Sequence, residues 1–144
     1  MEITLPIVNT AIQEKSLEDC LFGVLDGKKE LFRLVTDLRM DGGYGQGVLS
    51  FTDTELVALD GTGQVYAVAY ADIEQCIIKR MYGNALFEVK CKDGRQLDLG
   101  RATLATTGLL STASQFVDRI QKGTSIEDAI ELKKFRHNQT MSVY

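Results

Sequence analysis

The chain has no tryptophan, one proline, one histidine and three cysteines in 144 residues. Each shortage removes a class of function. A single histidine, His137, flanked by Arg136 and Asn138 near the end of the chain, offers no Ser-His or Cys-His pair for nucleophilic catalysis. Cys20, Cys76 and Cys91 form no CxxC or other metal spacing, and their number is odd. They read as small buried hydrophobes in a reducing compartment. No stretch of about 18 apolar residues is present, so no membrane span is expected. Met1 to Gln13 lacks the basic-then-apolar order of a signal peptide, and the expected location is the cytoplasm. A net charge of −4 repels phosphate overall and disfavours nucleic acid as a partner.

Glycine, by contrast, is abundant at 13 residues, and 44% of the chain is apolar against 25% charged. Glycine-rich and proline-poor composition suits tight turns between short strands. Ser16-Leu17-Glu18-Asp19 has the spacing of a capping box and predicts a short helix to about Leu25, ended by Asp26-Gly27. From Glu30 to Arg101 the period is two. Phe32, Leu34, Thr36 and Leu38 share one face, while Arg33, Asp37 and Arg39 share the other. The stretch from Asp41 to Gly47 reads as a long flexible loop. Strands follow at Val48 to Thr52, Glu55 to Leu59, Gln64 to Tyr70, Ile73 to Met81 and Ala85 to Lys92, with Leu97, Leu99 and Arg101 lining one face of the last. Asp60-Gly61-Thr62-Gly63 and Asp93-Gly94 are hairpin turns, so the pairing is expected to be antiparallel and sequential.

Near position 105 the period becomes helical. Leu109, Leu110, Ala113, Phe116, Val117 and Ile120 form one face, Thr106 or Thr107 is placed to cap the start, and Gly123 stands where a helix-ending glycine belongs. Ser125-Ile126-Glu127-Asp128 opens a shorter helix toward Phe135. The expected architecture is mainly β with helical elements (α+β). About seven antiparallel strands form a split barrel closed by a C-terminal amphipathic helix, after a short N-terminal helix. Leu109, Phe116 and Ile120 are the expected plug. The corresponding division is an extension over 1–29, the barrel and helix over 30–122, and a helix and tail over 123–144.

Candidate chemistry is sparse, and the expectation is a chain that is not an enzyme and holds no cofactor. Asp37, Asp41, Asp53, Asp60 and Asp72 fall at strand ends and turns, where aspartate bonds local backbone N–H groups. Asp37 and Asp41 lack the alternating oxygen ligands and closing glutamate of a calcium loop. The glycines at 42, 43, 45 and 47 precede a strand, not the helix that a dinucleotide loop needs. Gly23 to Lys28 is one residue short of a phosphate-binding loop. The basic candidates for surface binding are Lys28, Lys29, Arg33 and Arg39 around the first strand, with Lys133, Lys134 and Arg136 in the tail. At about 1 kcal/mol per basic residue at an anionic membrane, the three tail charges supply about 3 kcal/mol, too little to anchor a protein alone.

Residues 36–45 (Thr36-Asp37-Leu38-Arg39-Met40-Asp41-Gly42-Gly43-Tyr44-Gly45), Leu49 to Asp53, Leu56 to Asp60, Ala71-Asp72-Ile73-Glu74 and the turn Lys92 to Arg95 together resemble a known family. It is the pleckstrin-homology-like cytosolic domain at the N-terminus of some bacterial ABC exporters, and the likeness spans about residues 30 to 122. The resemblance implies a non-catalytic accessory domain that regulates or assembles a transporter, with protein partners or the transporter's own domains in contact. Lys133, Lys134 and Arg136 would then precede a first membrane helix on its cytoplasmic side. The alternative is a module that binds phospholipid or a membrane surface. A small-molecule ligand is not expected.

Overall fold

Alternation of apolar and polar residues over 30–103 builds seven strands, seen in a computed structural model that describes Ile12, residues 14–125 and Asp128. Helix α1 (Lys15–Val24) is followed by β1 (Glu30–Leu38), β2 (Tyr44–Thr52), β3 (Glu55–Asp60), β4 (Val65–Ala69), β5 (Ile73–Met81), β6 (Asn84–Cys91), β7 (Gln96–Thr103) and helix α2 (Thr107–Gln121). The strands form one antiparallel sheet in the order β4-β3-β2-β1-β7-β6-β5. Together with the closing helix this gives the seven antiparallel strands and the C-terminal helical plug expected from the sequence.

Pairing is not wholly sequential. β4 and β5 are consecutive in the chain yet lie at opposite edges, while β1 pairs with β7 through Leu38 and Arg101. A 3-10 turn, Tyr70–Asp72, makes the break. Its Tyr70 ring turns into the core, and the Tyr70 hydroxyl donates to the Thr52 carbonyl at 2.7 Å. α2 fills the corner left open. Leu110, Ala113, Phe116 and Val117 are fully buried against Phe32, Leu34, Leu49, Phe51 and Phe87, whereas Leu109 and Ile120 sit half-buried at its margin. Phe116 is the central plug, edge-on to Phe32 (5.1 Å), Phe51 (5.4 Å) and Tyr70 (5.8 Å).

A second, smaller core lies on the other side of the sheet. Leu17 and Leu21 of α1 pack on Val48, Val57 and Leu59. Four further expectations are corrected. α1 starts at Lys15 with Glu14 at its cap, so Ser16 lies inside the first turn and caps nothing; the Glu14 carbonyl accepts from Leu17 and Glu18 instead. Cys20 is exposed, because only the Leu17–Leu21 face of α1 meets the sheet; Cys76 is intermediate and Cys91 buried. The glycine-rich stretch is half strand. β2 begins at Tyr44, and Gly47 pairs with both Thr36 and Asp60, where a Cβ would meet Thr36 Oγ1 at 2.6 Å. On β7, a register shift between Phe87 and Glu88 lets Leu97 and Leu99 join the core while Arg101 does not.

The α2 ends divide between expectation and surprise. Neither Thr106 nor Thr107 caps the helix by its side chain, because both hydroxyls are committed elsewhere. At the other end Gly123, at φ +86°, completes a Schellman turn: Gly123 N–H donates to the Ile120 carbonyl and Thr124 N–H to the Arg119 carbonyl, both at 3.1 Å. Asp128 N–H donates to Ser125 Oγ at 3.2 Å, the bond expected at a helix start. Lys133, Lys134, Arg136 and His137 lie outside the described residues. No described helix is long and apolar enough to cross a membrane.

Candidate functional site

The four basic residues around the first strand do not converge. Lys28 and Lys29 stand just before β1, Arg33 is its fourth residue and Arg39 follows its end, so the six steps from Arg33 to Arg39 span about 20 Å. Most of them are neutralised locally. Lys28 is ion-paired to Glu55, and Arg33 binds Glu30 at 2.5 Å and Glu18 at 3.3 Å. Burial works against the Arg33 charge, but the Glu30 and Glu18 carboxylates outweigh it and hold the guanidinium more firmly protonated. Lys29 has no ion-pair partner among the described residues.

Arg39 belongs to a cluster that the sequence does not announce. The β1–β2 connection folds tightly: Gly42 N–H donates to the Arg39 carbonyl, Arg39 N–H to the Gly43 carbonyl, and Gly43 N–H to Asp41 Oδ1 at 2.8 Å. Arg39 lies along Gly43 and Gly45, and Arg101, arriving from β7, lies against Gly42. Two guanidiniums thus flank one loop, and the Nε of each is buried without a partner. The Asp41 carboxyl is held below its ordinary range by the Gly43 N–H, helped by Arg39 at 3.3 Å and by Arg101. Nothing in the spacing of residues 39 and 101 signals this meeting; only the non-local β1–β7 pairing makes it.

Charge counting decides what this cluster can bind. Asp60, buried, accepts from Met40 N–H at 2.6 Å and from the Thr62 N–H and hydroxyl. The Glu14 carboxylate approaches Gly45 and Gly61 beside the Arg39 methylenes. Two cations therefore face three carboxylates. A carboxylate about 4 Å from an incoming anion costs it about 1 kcal/mol in water and about 4 kcal/mol at a partly buried surface. The loop is self-compensated and offers an anionic headgroup no net attraction.

Two residues beyond Arg101, where β7 ends at Thr103, the character is different. Here the Asp37 carboxylate on β1 accepts from Thr103 N–H (2.9 Å), from Thr106 Oγ1 (3.0 Å) and from the Thr103 hydroxyl (2.5 Å). Burial alone would raise this carboxyl, but those bonds prevail and hold it below its ordinary value. They also pin the segment 103–106, which presents Leu104 outward. Met81 pairs with Asn84, and Asn84 with Thr103, so Met81 and Thr103 are two ladder steps, about 10 Å, apart. Tyr82 forms the tip of that hairpin beside Gly83, at φ +82°. Tyr82 is fully exposed, Met81 46% and Leu104 50%. The large exposed apolar residues elsewhere, Phe22, Tyr44 and Val65, stand singly, as is normal on any surface. Three together at one end are not scattered exposure. Among the described residues, the outer face behind them, on β5–β7, carries no helix of the kind α1 provides for β2 and β3.

Among the described residues no group of three or more His, Cys, Asp or Glu side chains is placed to hold a metal ion. No family model matches the chain. No curated protein matches it either. A solved structure similar to the chain is that of a DUF1696 family protein with a pleckstrin-homology domain from Shewanella loihica PV-4, at TM-score 0.40 and 17% identity, covering 70% of this chain and 99% of that one.

Proposed function

We propose that this chain is a non-catalytic interaction module that docks a protein partner on the end of the barrel formed by Met81, Tyr82 and Leu104. The observation that carries this reading is the exposure of those three side chains on the β5–β6 hairpin and on a junction pinned by Asp37. Aromatic anchors of this kind dominate binding energy at protein interfaces, at 2 kcal/mol or more each. The non-catalytic reading draws support from how the carboxylates are used. Asp37, Asp41, Asp60 and Asp93 all accept from nearby backbone N–H groups, and that accounts for their positions.

The narrower reading, an accessory domain of an ABC exporter, rests on the resemblance over residues 36–60 and 71–95. It is tested by the neighbouring coding sequence. Membrane-spanning and ATPase segments in the same reading frame support it, and their absence removes it. Membrane-surface binding is the rival, and the pairing of Lys28, Arg33 and Arg39 with carboxylates argues against it. Cosedimentation with vesicles rich in anionic lipid separates the two. The protein reading expects no vesicle-bound fraction even at low salt, and binding that fades as salt is added would overturn it.

A further inference from the structure

Strand β5 forms one edge of the sheet and β4 the other. The two edges are unequal. β4 is five residues long, whereas β5 runs for nine and contains no proline. Residues 74–81 pair with β6 and, among the described residues, make no other backbone bond. About half of their N–H and C=O groups therefore point away from the sheet without a partner, which makes a template for another strand. Only the start of the edge is closed. The Gln121 side chain of α2 donates to the Ile73 carbonyl, and a register shift between Ile73 and Gln75 ends the regular ladder there. Beyond that point a gap of about 300 Å³ separates Glu74, Gln75 and Cys76 from Ser114 and Asp118, so α2 does not pack flush against the edge.

The charges along this edge complement one another. Glu74 stands near one end and Arg80 near the other, and Cys76, Ile77 and Ile78 between them are half-buried. Among the described residues Glu74 reaches only Lys90, at 3.9 Å, and Arg80 has no ion-pair partner. Lys79 is matched by Glu88 at 2.9 Å, and Asp118 on the α2 flank by Lys122 at 3.0 Å, so neither adds net charge. We propose that two copies of this chain pair antiparallel through β5, about a two-fold axis perpendicular to the sheet at Ile77. Facing residues then lie on the same side of the joined sheet. Ile77 meets Ile77, Cys76 meets Ile78, Gln75 meets Lys79, and Glu74 meets Arg80 once at each end. Moving the axis by one residue loses this match: at Cys76 it sets Glu74 against Ile78, and at Ile78 it sets Arg80 against Cys76. The pairing consumes the long edge of both copies and leaves only the two short β4 edges outside. It uses the backbone of β5, so it goes beyond the Tyr82 surface and stands or falls separately from it.

The test is sedimentation equilibrium of the full 144-residue chain at low salt, over a concentration series reaching the high micromolar range, beside Glu74→Arg, Arg80→Glu and the two combined. Both positions are exposed, so all four chains keep the same far-UV spectrum. The expected result is a monomer–dimer equilibrium in the unsubstituted chain. Either single reversal sets like charges across both symmetric contacts and weakens the dimer about tenfold. The combined variant restores the pairing in swapped order and recovers the original affinity to within about threefold. A chain that stays monomeric throughout the series overturns the proposal. A dimer that the single reversals leave unchanged, or that the combined variant does not recover, means that the copies meet elsewhere and overturns it equally.

Discussion

Phe116→Ala removes the ring around which the barrel closes. The side chain is fully buried and meets Phe32, Phe51 and Tyr70 edge-on, while Phe32 and Phe51 stack on each other at 4.6 Å. Truncating a buried phenylalanine costs about 3–5 kcal/mol, from lost transfer energy and the cavity left behind. Each aromatic pair adds about 0.5–1.5 kcal/mol beyond buried area, so the upper part of that range is expected here. The surrounding rings belong to two strands and a turn and have no common way to collapse. A domain of this size is stable by about 5–15 kcal/mol, so the loss is a large fraction of the whole. In urea titration with m near 2 kcal/mol/M the midpoint falls by about 2 M at unchanged m. Phe22→Ala is the internal control, because Phe22 is 80% exposed and its loss stays within about 0.5 kcal/mol. A Phe116→Ala cost below about 1 kcal/mol would mean that α2 does not plug the barrel.

Gly47→Ala drives a Cβ into Thr36 Oγ1 and costs about 1–3 kcal/mol in chemical denaturation; adding Thr36→Ala in the same chain recovers most of it, and failure to recover refutes the steric account. Asp37 has a depressed carboxyl pKa in the folded state, so its bonds to Thr103 and Thr106 stabilise above about pH 4 and are lost as pH falls through the lower folded value. Asp37→Asn therefore costs about 1–2 kcal/mol at neutral pH, and less on acidification; an equal cost at pH 7 and pH 2 contradicts this. Thiol titration at pH 8 finds one fast group, Cys20. Burial pushes the Cys76 thiol up to about 12 and raises Cys91 as well, so both react only on unfolding, and three equally fast thiols would refute the assignment.

Local patterns in this chain were legible because their causes are local. Asp60-Gly61-Thr62-Gly63 and Asp93-Gly94 demand positive φ at Gly63 and Gly94, and the structure has it at both. The α2 stripe of Leu110, Ala113, Phe116 and Val117 needs only helical spacing to be seen. What failed was non-local. β1 pairs with β7 at a separation of 63 residues (101 minus 38), and no period encodes that partner. The residues at 44–47 read as loop because glycine disfavours strands, yet β1 and β3 flank them and Thr36 needs the space that Gly47 leaves. Thr106 looked like a cap, but Asp37, far away in sequence, takes its hydroxyl. The same limit hid the candidate surface. Met81, Tyr82 and Leu104 sit in patterns that suit burial as well as exposure, and only the fold brings them together uncovered. The basic residues can be picked out by type, but two of the carboxylates that neutralise them, Glu55 of β3 for Lys28 and Glu18 of α1 for Arg33, come from elsewhere in the chain.

The most direct measurement of the interaction reading is a photo-crosslinkable residue placed at position 82 of the full chain in its native cell, with one at the solvated Gln96 as control. The account predicts a discrete protein adduct at 82 that unlabelled wild-type chain competes away and that weakens at least about tenfold when Met81 and Leu104 are both changed to Ser. Lipid adducts at 82, or the same protein adduct at both positions, would contradict it.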